Sequence, residues 1–269
     1  MLPKHMVAYP NMRFRGAALA AGVSLAVVGL VAGFLSGCDP QLNPDSSALG
    51  TPTTIGAPGT PGATDTGTAA PGSARAELAV LTVKGRAPMT GYDRDRFGPA
   101  WSDTDHNGCD TRNDVLHRDL THVAFRPGTH DCIVTSGDRA DPYTGRAIHF
   151  VRGGASELDI DHLVALGDAW QTGAQQWPAE KRLALANDPL NLLSVDSSAN
   201  RQKGDSDAAS WLPSNKAYRC DYVARQIAVK TKYQLWVTSA EKTAMATVLS
   251  TCPDEPAPSG GNPTLAPHR

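Results

Sequence analysis

The chain has 269 residues, 41% of them hydrophobic and 19% charged, with 25 Gly and 20 Pro. That balance fits a soluble domain carrying unstructured segments and excludes a polytopic membrane protein. Twenty-five basic side chains against 27 acidic ones leave a net charge of −2, which excludes a histone-like polycation, so any contact with nucleic acid must come from a local basic patch.

Lys4, Arg13 and Arg15 precede an uncharged run from Gly16 to Leu35 that closes on Leu35-Ser36-Gly37-Cys38. A charged start, an apolar centre and small residues at the end describe an export signal over residues 1–38. The tetrapeptide resembles the bacterial lipobox, which implies lipidation at Cys38 and a membrane anchor; an uncleaved anchor helix is the rival, since about 20 apolar residues span a bilayer. Residues 39–75 contain 6 Pro, 6 Gly, 6 Ala and 10 Ser or Thr, too few apolar side chains to offset the entropy of ordering, so they read as a flexible tether. Residues 253–269 have the same character. The folded domain is then expected over residues 76–252, a length suited to one core.

Within it, Ala76 to Val83 reads as a strand or short helix. A polar, loop-rich stretch follows to about Gly154, with strand-like pieces at His122 to Phe125, Cys132 to Thr135 and Ile148 to Arg152. Leu158 to Val164 reads as a strand, Asp168 to Trp177 and Pro178 to Asn187 as helices, and Asn191 to Val195 as a short apolar strand. Ser197 to Lys203 opens a helix that Ser197 can cap. Ala217 to Thr231 and Ser239 to Leu249 finish as helices, the last opened by a Thr238 and Glu241 capping box. With Cys38 set aside, Cys109, Cys132, Cys220 and Cys252 are an even number in an oxidising compartment. Three pairings are possible; Cys109 with Cys132 and Cys220 with Cys252 close the shortest loops. A four-thiolate zinc site is the rival, but no C-x2-C pair exists to start it.

The chemistry concentrates between Asp159 and Asp207. Leu-Asp-Ile-Asp-His at 158–162 puts Asp159 and Asp161 on one strand face and His162 on the other. Asn191 opens the second strand, Asn200 follows in the helix, and Lys203 comes three residues later. The sequence resembles the HNH, or ββα-metal, nucleases. Asp161-His-Leu-Val-Ala-Leu, Ala186-Asn-Asp-Pro-Leu-Asn-Leu-Leu and Ala199-Asn-Arg-Gln-Lys-Gly-Asp resemble in particular the secreted branch related to the C-terminal domain of GmrSD-type restriction enzymes. The likeness extends to Gly91-Tyr-Asp-Arg-Asp-Arg-Phe-Gly, Asn107-Gly-Cys-Asp-Thr-Arg and Asp141-Pro-Tyr-Thr-Gly. It implies an α+β fold with an HNH core, added helices and a loop-rich, disulfide-stapled N-terminal part.

Phosphodiester hydrolysis needs an activated water and neutralised phosphate charge. His162 suits the proton acceptor. Asp161 and Asn200 offer hard oxygen ligands for Mg²⁺ or Mn²⁺, Asn191 a positioning bond across the hairpin, and Asp159 a supporting contact. The secreted branch implies that Arg112 grips phosphate with Asp110 orienting it; a disulfide-stapled turn with a surface arginine is the rival. Asp103, Asp105, Asn107 and Gly108 open like a calcium loop, yet Asp110 and Asp114 depart from its pattern. Asn187 and Asp188 read as turn residues, and Trp170, Trp177, Trp211 and Trp236 as core. Residues 76–252 hold 20 Lys or Arg and 22 Asp or Glu, but Arg201, Lys203, Lys216, Arg219, Arg225, Lys230 and Lys232 make a positive run, of which Arg201 and Lys203 would contact phosphate. The expectation is an exported nuclease acting on nucleic acid, DNA ahead of RNA, with little sequence specificity and no obligate protein partner. The competing classes are a non-catalytic envelope lipoprotein of the same fold and a phosphodiesterase of small substrates.

Overall fold

The computed structural model describes residues 69–155 and 157–259. The export signal, Cys38 and the tether as far as residue 68 lie outside the described residues, as do residues 260–269. The fold is α+β: seven helices and two small antiparallel sheets are formed among the described residues. Helix α1 (Ala74–Val80), α2 (Thr111–Asp119) and strands β1 (Thr121–Phe125), β2 (Val134–Ala140) and β3 (Ala147–Val151) come first. Strand β4 (Leu158–His162), α3 (Leu166–Gln171), α4 (Ala179–Ala186), β5 (Leu192–Asp196), α5 (Ser197–Lys203), α6 (Arg219–Tyr233) and α7 (Ser239–Leu249) follow.

Strands β1, β2 and β3 form one sheet in that order, and β4 pairs with β5 in the register Leu158 to Asp196 through His162 to Leu192. The β4–β5 hairpin sits between hydrophobic clusters. Leu158, Ile160 and Leu192 pack with Val115, Leu116, Val134 and Phe150, while Leu193 and Val195 pack with Tyr222, Val223 and Ile227 of α6. Burial on both sides explains why β5 reads as an apolar run rather than an alternating strand.

The folded unit is wider than residues 76–252. Ser73 caps α1 through Ala76 N, Ala74 N donates to Glu255 O and Ala257 N to Gly72 O, and Ala257 packs against the core. The two ends pair, so residues assigned to tether and tail belong to the domain at their inner edges. The N-terminal part is also less loop-rich than expected. Helix α2 was not anticipated, because Thr111 to Asp119 has few apolar residues, yet Asp110 caps it through Asn113 N at 2.9 Å and Val115 and Leu116 bury fully. Helix α5 begins as expected, but its cap is Asp196, whose carboxylate accepts from Ala199 N at 2.8 Å, rather than Ser197. The Thr238 and Glu241 capping box opens α7.

Disulfides join Cys109 to Cys132 and Cys220 to Cys252 across separations of 23 and 32 residues. The first ties the loop ahead of α2 to the entry of β2. Breaking either loop constraint is expected to cost about 2–4 kcal/mol. Thermal melting with and without dithiothreitol checks this, and an unchanged melting temperature in reductant contradicts it.

Helix α6 carries buried charge. Lys230 Nζ lies 2.9 Å from Asp168 and 2.6 Å from Glu241, and Arg86 lies 2.7 Å from Asp207. Arg225 donates to the carbonyls of Leu190 and Leu192. The edge of β5 that faces away from β4 is likewise closed by side chains: Arg118 donates to Leu192 O, Arg139 to Ser194 O, and Asp119 and Asp141 accept from Ser194 N and Asp196 N. Each outward backbone group named here is paired, which buried peptide groups require.

Candidate active site

His162 ends β4 and is almost fully buried. Its Nε2 lies 2.9 Å from Ala186 O. A carbonyl can only accept, so Nε2 carries the proton and Nδ1 keeps the lone pair. Burial pushes the imidazole pKa down to about 3, so the ring is neutral at physiological pH, while the same burial weakens it as a base. Asn191 is fully buried and binds the loop after β4, accepting from Val164 N at 2.8 Å and donating to Val164 O at 3.2 Å. It acts on His162 through the backbone and touches no open surface.

Asp161 and Asn200 line one cleft of about 210 Å³ with His162 and Arg94. Asp161 is anchored: Tyr143 Oη donates to Oδ2 at 2.5 Å and Lys203 Nζ to Oδ1 at 3.0 Å. Burial raises its pKa against the opposing pull of Lys203 and of Tyr143. Asn200 Nδ2 donates to Asp159 Oδ2 at 3.2 Å, which takes its amide nitrogen and leaves the amide oxygen as the free ligand. Each carboxylate oxygen has two acceptor positions, so Asp161 retains lone pairs beside the cleft. The donor set, one carboxylate and one amide oxygen on a common wall, fits a hard cation that keeps water and phosphate in its remaining positions.

Two other acidic groups fit a cation less well. Asp168, Asp207 and Glu241 come within 4.8 Å of one another, but Lys230 already pairs with Asp168 and Glu241 and Arg86 with Asp207. In the Asp103 to Asp114 loop, Asn107 and Gly108 N–H groups and the Asn107 amide occupy the carboxylates of Asp103, Asp105 and Asp114.

Lys203 is not a phosphate contact. Its side chain is fully buried, bonded to Asp161 and to His162 O. The positive run around it thins for the same reason: Arg225 and Lys230 are buried and Lys232 pairs with Asp188 at 2.6 Å, which leaves Arg201 and Lys216 exposed and Arg219 half-buried at the surface. Arg201 is exposed beside Asn200. Asp110 caps α2, accepting from Asn113 N and Nδ2, and reaches Arg112 through charge alone. Arg112 instead places its guanidinium 5.8 Å from the centre of the Trp101 ring. Burial and the nearby Arg152 lower its pKa.

Arg94 and Trp101 are the residues that sequence reasoning missed. The Trp101 ring is nearly parallel to His162, at 15° with centroids 6.4 Å apart. Its backbone has φ 59°, a conformation that costs energy for a bulky side chain and is found where the surroundings impose it. Arg94 lies in the Gly91 to Gly98 motif, the one signal that pointed toward it. Asn187 and Asp188 do make turn contacts, to Leu183 O and from Leu190 N, and Trp170 is core. Trp211 packs edge-on against Tyr143.

Among the described residues, no helix is long and apolar enough to cross a membrane. A protein of the fungus Arthroderma benhamiae (strain ATCC MYA-4681 / CBS 112371) named "Uncharacterized secreted protein" is 41% identical over 182 residues, which cover 67% of this chain and 85% of that one. No solved structure matches. Residues 110–248 match the family of GmrSD restriction endonucleases, C-terminal domain, a span that takes in α2, both sheets and the His162 cleft apart from Arg94, and the chain belongs to that family.

Proposed function

We propose that this protein is an exported, metal-dependent endonuclease of the HNH type, in which β4, β5 and α5 form the ββα-metal core. The observation that carries the reading is the neutral His162, fixed through Nε2 to Ala186 O, on a cleft shared with Asp161 and Asn200. His162 Nδ1 takes the proton of the attacking water. Asn191 fixes the loop that orients this ring. Asp161 and Asn200 would hold Mg²⁺ or Mn²⁺, with Asp159 turning the Asn200 amide and Lys203 keeping Asp161 ionised. The bound ion would neutralise phosphate charge and assist departure of the leaving oxygen. Arg94, Arg112 and Arg201 are the cations available to the nucleic-acid backbone, which they contact without reading bases. DNA is the favoured substrate. Lipidation at Cys38 would hold the domain at the outer membrane face, and the two disulfides support an oxidising compartment.

The test is to incubate the purified protein with plasmid, linear duplex and RNA, first in EDTA and then with Mg²⁺ or Mn²⁺ restored. Cleavage that stops in EDTA and returns with either ion is expected. Turnover of a small phosphodiester without any nucleic-acid cleavage would replace this reading with the small-substrate one, and no turnover of either would leave the non-catalytic reading.

A further inference from the structure

We propose that the apolar cavity walled by Trp101 is a nucleobase subsite, which takes one unstacked base beside the phosphate being cut and directs the enzyme to single-stranded or unpaired nucleic acid. The inference rests on the nuclease reading and names its substrate class. Two clefts meet at His162. The polar one carries Asp161, Asn200 and Asp205. The other, about 180 Å³, is walled by Phe97, Trp101, Leu166 and Ala186 and shares His162 and Arg94 with the first. It lies below the roughly 300 Å³ floor for drug-sized ligands, a size for one ring system.

A phosphate held at His162 and Arg94 has its own sugar and base as nearest neighbours, so the adjoining apolar space falls to the base. Trp101 is only partly buried, with φ 59° and the Arg112 guanidinium 5.8 Å from its ring. An indole face is a stacking platform that accepts any base. Asn187 lines the same cavity and is 1% exposed. Its Nδ2 donates to Leu183 O, while its Oδ1 has no hydrogen-bond partner. A buried acceptor without a donor is costly, and a base edge supplies N–H donors. A base inside a duplex reaches such a pocket only after unpairing, at a cost of a few kcal/mol; a single strand avoids that cost.

The experiment uses end-labelled oligonucleotides, single-stranded and duplex, with one abasic residue placed within the strand and cleavage mapped at every phosphate. For the wild-type protein, the single strand is expected to be cut at least ten-fold faster than the duplex. The abasic residue should suppress cleavage roughly ten- to hundred-fold at one fixed offset. Trp101→Ala should lose the same factor on the intact strand and become indifferent to the abasic residue, and Trp101→Phe should recover most of it. An abasic scan without a fixed-offset effect in the wild-type protein overturns the subsite, whatever Trp101→Ala does to folding, and leaves the nuclease reading standing. Absence of cleavage on every substrate with Mg²⁺ and Mn²⁺ overturns the nuclease reading first and the subsite with it.

Discussion

His162→Ala is expected to lower the rate of phosphodiester cleavage by about 10²- to 10⁴-fold, the range that general-base catalysis supplies. The imidazole is held by Ala186 O on one side and by the Asn191-bound loop on the other, so no other neutral base stands in its place. The protein should remain folded, because the ring's hydrogen bond is one bond to Ala186 O and the cavity left is modest. Circular dichroism and a melting curve establish folding, and initial rates on plasmid DNA establish the loss. A folded variant retaining near wild-type rate removes His162 from the mechanism.

Lys203→Met is expected to act on stability more than on binding. Lys203 is 1% exposed, and its ammonium is shared between Asp161 and His162 O. Removing one partner of a buried ion pair typically costs about 3–5 kcal/mol, because the other charge is left without compensation. For a domain of this size that amounts to a fall in melting temperature of about 10 °C. Cleavage should fall too, since Asp161, whose pKa burial already raises, loses the cation that keeps it ionised. Were Lys203 instead a surface contact to phosphate, its loss would leave stability within about 0.5 kcal/mol and reduce only the salt dependence of binding. Urea unfolding separates the two.

The difference between those readings shows where sequence ceases to inform. Ala199 and Lys203 are four residues apart and therefore share a face of α5; Ala199 is 8% exposed, so that face points inward and takes Lys203 with it. A charge sum over residues 197–232 ignores such directions and counted Arg225 and Lys230 as surface. What was legible depended on spacing and local chemistry. The hairpin and helix that bring Asp161, His162 and Asn200 together follow from the alternation of residues 158–162 and the apolar run that opens at Asn191, and the cysteine pairs follow from short loops. Helix α2 was illegible because its stability comes from an Asp110 cap and two buried apolar residues rather than from a periodic apolar stripe. Trp101 was illegible because a tryptophan at φ 59° carries no local signal; only the packing of α2 and the Cys109 loop places it at His162.

The closed edge of β5 sets the order in which this molecule can assemble. The groups that occupy it arrive from far away along the chain: Asp119 lies 75 residues from Ser194, Arg118 lies 74 from Leu192 and Arg139 lies 55 from Ser194. A two-stranded hairpin alone is marginally stable in water, and until those side chains dock its outer edge is an open template for another strand. Contacts of such long range form late and slowly. The β4–β5 hairpin is therefore a product of the completed fold rather than its nucleus, and transplanting β4, β5 and α5 into another scaffold would carry the motif without the arginines and aspartates that close its outer edge.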